Sequence, residues 1–245
     1  MLFRSNDTAT TEIYTTEHTL SLHDALPISH DLTLIDRLAA LHPAVVSDCL
    51  DLLGHRHQVM APGIRPLAIG MRLAGAAATV RVVADEGIPA DRSQWHRGTI
   101  AAVDALQPGD VLVASHCDAA FWGELLATAA GLRGARGVVA DAYVRDTLAL
   151  IVMDFATFAR GINCADALGR IRVEAAGVPI ECGGVQVNPG DFVLGDHDGV
   201  VVLPAAVATE AIGLAEQKMA GEDRVRDELA RGMSLAEAFG TFGVL

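Results

Sequence analysis

Two short runs hold the residues best suited to chemistry: Gly123-Glu124-Leu125-Leu126 and Arg145-Asp146. An Arg beside an Asp supplies a planar cation for a carboxylate or enolate oxygen and a hard oxygen anion for a divalent metal. A Gly-Glu pair opening an Ala- and Leu-rich stretch reads as a helix start. There the first backbone N–H groups lack partners and the macrodipole favours an anion. On spacing alone the two runs describe an anion pocket beside a metal ligand. The same pattern also suits a surface ion pair next to an ordinary helix. Neither run contains a Lys for a Schiff base, which favours a metal route to any carbanion chemistry.

These runs need elements to position them. Gly137–Ala140 reads as a short buried strand, Val111–Ala114 as another after the Pro108-Gly109-Asp110 turn, and Glu124–Leu132 as a helix. Both runs then follow strand ends, where α/β folds commonly place ligands. Upstream, Leu34–Leu41 and Ala44–Leu53 have helical spacing, interrupted at His42-Pro43 and stopped by Gly54. Arg72–Ala84 alternates as a strand, and Thr99–Leu106 is a short apolar helix. The second half changes to short strands at Ile171–Val173, Val178–Glu181, Val185–Val187, Phe192–Leu194 and Gly199–Leu203. Gly, Asn and Pro-rich turns separate them. Helices are predicted over Ala205–Ala220 and Glu222–Arg231, then a last one opened by Ser234 and Glu237 in capping-box spacing. With no repeat and no linker, one α/β domain is expected.

Composition narrows the partners. Hydrophobic residues make up 51% of the 245 and aromatics 4%, so the core must be built from Ala, Val, Leu and Ile. The formal charge of −13 argues against a nucleic-acid partner, because there is no basic surface to displace counterions. A small anionic substrate stays compatible if an Arg or a metal acts locally. No apolar run approaches the ~20 residues of a membrane span. Cys49, Cys117, Cys164 and Cys182 form no CxxC pair and suit reduced, mostly buried thiols. These features predict a cytoplasmic protein.

Residues 1–29 stand apart. The stretch from Asn6 to Ile28 resembles the conceptual translation of a sequencing adapter, with constant blocks on either side of a short insert at Thr16–His18. It is Thr-rich and lacks a sustained helical or strand period. It also lacks the basic start and apolar stretch of a signal peptide. Residues 1–29 are therefore expected to be a non-native, disordered segment, and 30–245 the functional domain.

From about Leu34 to Leu245 the chain resembles the RraA-like family, which contains 4-hydroxy-4-methyl-2-oxoglutarate/4-carboxy-4-hydroxy-2-oxoadipate aldolases and regulators of ribonuclease E activity. The resemblance rests on VSDCLDLLG, GIRPL, RLAGAAATV, PGDVLV, FWGELLATAA, GVVADAYVRDT, FARG, ALGR and GGVQVNPGDFVLGDHDGVVVLP. It implies a swivelling β/β/α fold assembled as a homotrimer or homohexamer with sites between subunits. It also implies a Mg²⁺- or Mn²⁺-dependent class II pyruvate aldolase acting on a 4-hydroxy-2-oxo acid, with oxaloacetate decarboxylation as a side activity.

Residue by residue, the resemblance gives Gly123, Glu124, Leu125 and Leu126 the pyruvate moiety, held through backbone amides. Arg145 would bind substrate, Asp146 the metal, and Glu124 a water on that metal. An acidic residue from the C-terminal helix of a neighbouring subunit would complete the site. Glu222 is the candidate, with Glu216, Asp223 and Glu228 nearby. The alternative from the same family is a non-catalytic regulator of an RNA-processing enzyme. A methyltransferase reading has no Gly-rich nucleoside loop to rest on.

The chain departs from the family at Ala142, where many relatives have Gly, at Ala156-Thr157, at Cys164 and over Ser115–Ala119. These changes leave the non-pyruvate half of the substrate open. Within the last of them, His116 suits either a proton donor or substrate contact, or a loop His bonded to backbone. His55 and His57 lack companion ligands and read as a solvated loop. Asp110, Asp191 and Asp196–Asp198 read as turn formers.

Overall fold

The computed structural model describes residues 31–243, so the adapter-like segment lies outside the described residues. The described residues open with two helices, α1 (Leu32–Ala39) and α2 (Pro43–Leu52). Asp31 caps α1 by accepting from the Thr33 and Leu34 amides. Pro43 starts α2 at a position where its missing N–H costs nothing. Leu34, Ile35, Leu38, Val45, Val46, Cys49 and Leu50 form their buried faces.

A nine-stranded mixed sheet follows. Its strands are β1 (Arg65–Pro66), β2 (Leu73–Ala84), β3 (Asp110–Ala114), β4 (Ala120–Trp122), β5 (Gly137–Val144), β6 (Thr157–Ile162), β7 (Ile171–Ala176), β10 (Phe192–Asp196) and β11 (Gly199–Leu203). A separate hairpin joins β8 (Ile180–Cys182) to β9 (Val185–Val187). The main path runs β1-β6-β5-β3-β2-β10-β11, with β4 on β5 and β7 on β2.

Strands β2, β3, β5 and β6 are parallel. Crossovers are required between them, and α3 (Arg97–Asp104), α4 (Glu124–Leu132) and α5 (Thr147–Val152) supply these. The two ends of the path meet: Arg65 of β1 donates to the carbonyls of His197 and Asp198 in the β10–β11 turn. The sheet is thus nearly closed.

Strand alternation sorts the core. Leu112 and Ala114 of β3 face the helices α3 and α4 with Val138 and Ala140 of β5, while Val111, Val113 and Val139 face the interior of the closed sheet. That interior is filled by Phe158, Val193, Val200 and Val202 and plugged by Ile180, Cys182, Val185 and Val187 of the β8–β9 hairpin. A third cluster packs α1, α2 and the start of α6 (Ala208–Ala230) on β10 and β11. The Ala-rich sequence of β2 follows from its position, hydrogen-bonded to β3, β7 and β10. At Gly75 an added Cβ would lie 2.5 Å from the Gly109 carbonyl oxygen, so this contact admits only glycine.

The structure corrects several expected elements. The strand expected over Gly137–Ala140 continues to Val144, so Arg145 follows it directly. Strands β4 and β6 and helix α5 were not expected from pattern. The two C-terminal helices expected over Ala205–Ala220 and Glu222–Arg231 are a single helix, because Gly221 is tolerated at a cost of about 1 kcal/mol while no proline interrupts. The capping box of α7 (Leu235–Phe242) is present, with Ser234 and Glu237 exchanging side-chain and backbone hydrogen bonds. No described helix is long and apolar enough to cross a membrane.

Candidate active site

The two motifs are brought together by β4 and β5. These strands pair in parallel, with Ala120 opposite Tyr143 and Trp122 opposite Val144. The Arg145 amide then donates to the Trp122 carbonyl at 2.9 Å. The chain leaves β4 through Gly123 into α4 and leaves β5 through Arg145 into α5, so both exits lie side by side.

Asp146 precedes α5 in the left-handed region, with φ of +56°, a conformation that Asp tolerates better than most residues. Its carboxylate does not cap α5. It reaches the start of α4 instead, where Oδ2 accepts the Glu124 amide at 3.3 Å. Gly123 leaves the necessary space. Its φ of −160° is ordinary extended backbone. A Cβ there would lie 2.5 Å from Asp146 Oδ2 and 3.3 Å from Arg145 Cγ. Gly123→Ala should therefore push the Asp146 side chain aside while leaving the fold intact. If the site acts on substrate as proposed below, turnover should fall by about 10²-fold, a size typical of ~1 Å misplacement. Steady-state kinetics beside an unchanged circular-dichroism melt checks this.

Arg145 is 40% exposed, with Nε 3.8 Å from Asp146 Oδ2 and Nη1 3.1 Å from Asp166 Oδ1. One face of the guanidinium is thus set between two carboxylates. The Glu124 side chain is exposed at the head of α4, Leu125 is 79% exposed, and Leu126 packs into the core beneath. Glu222 lies elsewhere in the chain. It sits on α6, 3.8 Å from the Lys218 ammonium, which also pairs with Asp48 of α2. Among the described residues no group of three or more His, Cys, Asp or Glu side chains is arranged to hold a metal. Asp146 is the carboxylate at the head of α4, 46% exposed. A magnesium-like ion commonly takes one or two protein carboxylates and fills its remaining positions with water and substrate oxygens. A single chain's donor set fits that requirement and no larger one.

Asp166 escaped the sequence reading. The signal available was its place after the β6 strand, at the same end of the sheet as the Arg145-Asp146 exit from β5. Asp141 was also missed. Asp141 and Tyr143 alternate with the fully buried Ala142 and Val144, so one face of β5 carries both, and Arg145 follows at the strand's end.

Asp141 anchors a second polar cluster. Its Oδ1 is 3.2 Å from His116 Nδ1 and 3.7 Å from Arg160 Nε, and its Oδ2 accepts the Gly183 amide at 3.3 Å. Arg160 also donates to Asp118 Oδ1 at 2.7 Å and to the Cys117 carbonyl at 2.8 Å, and its guanidinium lies over the Tyr143 ring. The Arg160 hydrogen bond holds the Asp118 carboxyl below the usual carboxylate range. His116 therefore faces a carboxylate rather than backbone. Asp110 and Asp191 serve turns, accepting the Gln107 amide and the Asn188 and Ala205 amides respectively.

Three of the four cysteines are buried. Burial pushes the thiols of Cys49 and Cys117 up, and burial together with the nearby Asp141 charge pushes Cys182 up to about 12. Raised values mean less thiolate at pH 8, so these three should be inert in the native state. Cys164 is exposed. Titration with a chromogenic disulfide at pH 8 should give one fast thiol in native protein, lost in Cys164→Ser, and four after unfolding.

Comparison with known proteins agrees with this architecture. The chain matches the RraA-like family, Aldolase/RraA, over residues 43–202. A Halalkalibacterium halodurans protein, provisionally named a 4-hydroxy-4-methyl-2-oxoglutarate aldolase, is 29% identical over 196 residues, spanning 79% of this chain and 87% of that protein. A crystal structure of an uncharacterized Pseudomonas syringae protein superposes with a TM-score of 0.76 at 29% identity, covering 89% of this chain and 96% of the other. Streptomyces coelicolor RraAS2, described as an unusual member of the RNase ES inhibitor RraA protein family, superposes with a TM-score of 0.73 at 26% identity, covering 82% and 100%. A family match that runs unbroken through β4, α4, β5 and the hairpins beyond makes this chain a member of the RraA-like, Aldolase/RraA family.

Proposed function

We propose that the protein is a divalent-metal-dependent pyruvate aldolase that cleaves a 4-hydroxy-2-oxo acid, with oxaloacetate decarboxylation as a second outcome of the same site. The observation that carries this reading is the convergence of Arg145, Asp146 and the head of α4 around the Cβ-free Gly123. The aldolase name of the Halalkalibacterium relative supports it.

Asp146, with Glu222 or a nearby acid from a neighbouring copy, would hold Mg²⁺ or Mn²⁺. When bound, the cation supplies a Lewis acid that polarises the C2 carbonyl and lowers the energy of the enolate. The amides at the head of α4, those of Gly123, Leu125 and Leu126 together with that of Glu124 once it leaves Asp146 Oδ2, would offer hydrogen bonds to the substrate carboxylate, aided by the α4 dipole. Arg145, held by Asp166, aims charge-assisted hydrogen bonds at the oxygen where negative charge grows. Glu124 is placed to orient water at the same helix start.

Leu125, Leu148 and Val152 are 79%, 80% and 86% exposed beside this site. Such an apolar group on α4 and α5 suits burial against another copy, in keeping with a homotrimer or homohexamer whose sites lie between subunits. The likeness to RraAS2 favours one other reading, a regulator that binds an RNA-processing enzyme and turns nothing over.

The discriminating experiment presents a panel of 4-hydroxy-2-oxo acids and oxaloacetate, and measures pyruvate with Mg²⁺ or Mn²⁺ and with chelator. Chelator-sensitive pyruvate release from at least one hydroxy acid supports the aldolase. No release from any member, with either metal, contradicts it.

A further inference from the structure

A cavity of about 640 Å³ opens beside the candidate site, lined among others by Val82, Glu86, His116, Asp118, Arg170 and Ile171. It connects to the Arg145-Asp146 motif through one residue. Arg170 donates to the Asp166 carbonyl at 3.0 Å, while the Asp166 carboxylate takes Arg145 at 3.1 Å. The two guanidinium groups therefore share Asp166, which ties the cavity wall to the motif.

His116 is the acid–base group on the wall of this cavity. It is 56% exposed. Asp141, on the strand that ends just before Arg145, sits 3.2 Å from Nδ1. An Nδ1–H turned onto that carboxylate would fix the tautomer and leave the Nε2 lone pair available. Nε2 has no hydrogen-bond partner among the described residues. The nearest charge is Asp118 Oδ2 at 3.9 Å, and Asp118 is already engaged by Arg160 at 2.7 Å. A carboxylate beside the imidazole of a His that lines a substrate-sized cavity is the arrangement of an oriented general base.

We propose that His116, oriented by Asp141, is the base that removes the C4 hydroxyl proton of the aldol substrate. This inference rests on the aldolase reading above. Nε2 takes the proton from the hydroxyl, the O–H pair becomes the new C4 carbonyl, and the C3–C4 bond breaks with its electrons passing into the C2–C3 enolate. The enolate then takes a proton at C3 from a solvent water to give pyruvate, and the imidazolium returns its proton to the hydroxide that remains. Oxaloacetate decarboxylation breaks a bond to CO₂ and has no hydroxyl proton to remove. The two reactions should therefore depend differently on His116.

The test reads the ratio of retro-aldol to decarboxylation turnover in the full-length protein, using 4-hydroxy-4-methyl-2-oxoglutarate and oxaloacetate. In His116→Gln the ratio should fall by about 10²-fold, the usual contribution of a positioned base. Added imidazole should raise the ratio in His116→Ala. Because the side chain is more than half exposed, both variants should fold. An unchanged ratio in both variants, or equal loss of both reactions, overturns the role of His116 and leaves the aldolase reading standing. Failure of the unaltered protein to release pyruvate from either substrate overturns both.

Discussion

Asp146→Asn should abolish metal-dependent pyruvate release, lowering turnover by about 10³-fold or more while the protein melts at its usual temperature. The size follows from removing both a negative donor for the cation and part of the field around Arg145, since loss of one well-placed electrostatic contact alone costs about 10²–10³-fold in turnover. The fold should be unaffected because the Asp146 carboxylate is 46% exposed, does not cap α5, and accepts one hydrogen bond at 3.3 Å from Glu124. The amide side chain of Asn keeps that acceptor and tolerates the left-handed backbone. Loss of pyruvate release with an intact melt, recorded for parent and variant at matched Mg²⁺, is the expected pattern. A variant that retains activity within tenfold would contradict a ligand role for Asp146.

Trp122→Ala should be the most damaging of the core substitutions near the site. Trp122 is 1% exposed and stacks between Phe121 and Phe155, with ring centroids 6.2 and 6.0 Å away. Truncating a buried Trp costs about 3–5 kcal/mol in lost transfer energy and cavity. One feature lowers that figure. The indole Nε1 is buried and has no hydrogen-bond partner among the described residues, so its removal relieves a desolvation penalty of about 1–3 kcal/mol. A net loss of about 2 kcal/mol is expected by urea unfolding. Trp122→Phe keeps ring packing and also deletes the unpaired N–H, so it should cost under about 1.5 kcal/mol. A Trp122→Phe cost well above about 1.5 kcal/mol would contradict an unpaired indole N–H.

Much of this architecture was legible in sequence where period and punctuation agreed. The boundaries of α4 and of β9 were readable because Glu124–Leu132 and Val185–Val187 are bounded by Gly on at least one side and uniform within. The capping box of α7 was local chemistry and could be read directly. Strand β6 was not, because Thr157–Ile162 carries Arg160 and Gly161 and pairs only through partners distant in sequence. The same holds for β4, three residues whose existence depends on β5. The split assigned within α6 came from weighting Gly221 above the surrounding helix formers.

For the site, the two motifs could be read as an anion pocket near a metal ligand. Their meeting depends on the β4–β5 register, which spacing does not encode. Asp166, Asp141 and the environment of His116 required three-dimensional placement, since Arg145–Asp166, His116–Asp141, Asp141–Arg160 and Asp118–Arg160 are 21, 25, 19 and 42 positions apart in sequence.

The central claim is that Gly123–Leu126 and Arg145-Asp146 form one metal-assisted pyruvate-enolate site, and oxalate tests it most directly. Oxalate is a planar dianion resembling the enolate of pyruvate, and a site complementary to that species should bind it more tightly than pyruvate itself. Calorimetric titration should show Mg²⁺- or Mn²⁺-dependent oxalate binding, tighter than pyruvate and lost in Asp146→Asn. Oxalate binding that is absent in the presence of metal, or undiminished in that variant, would contradict the account.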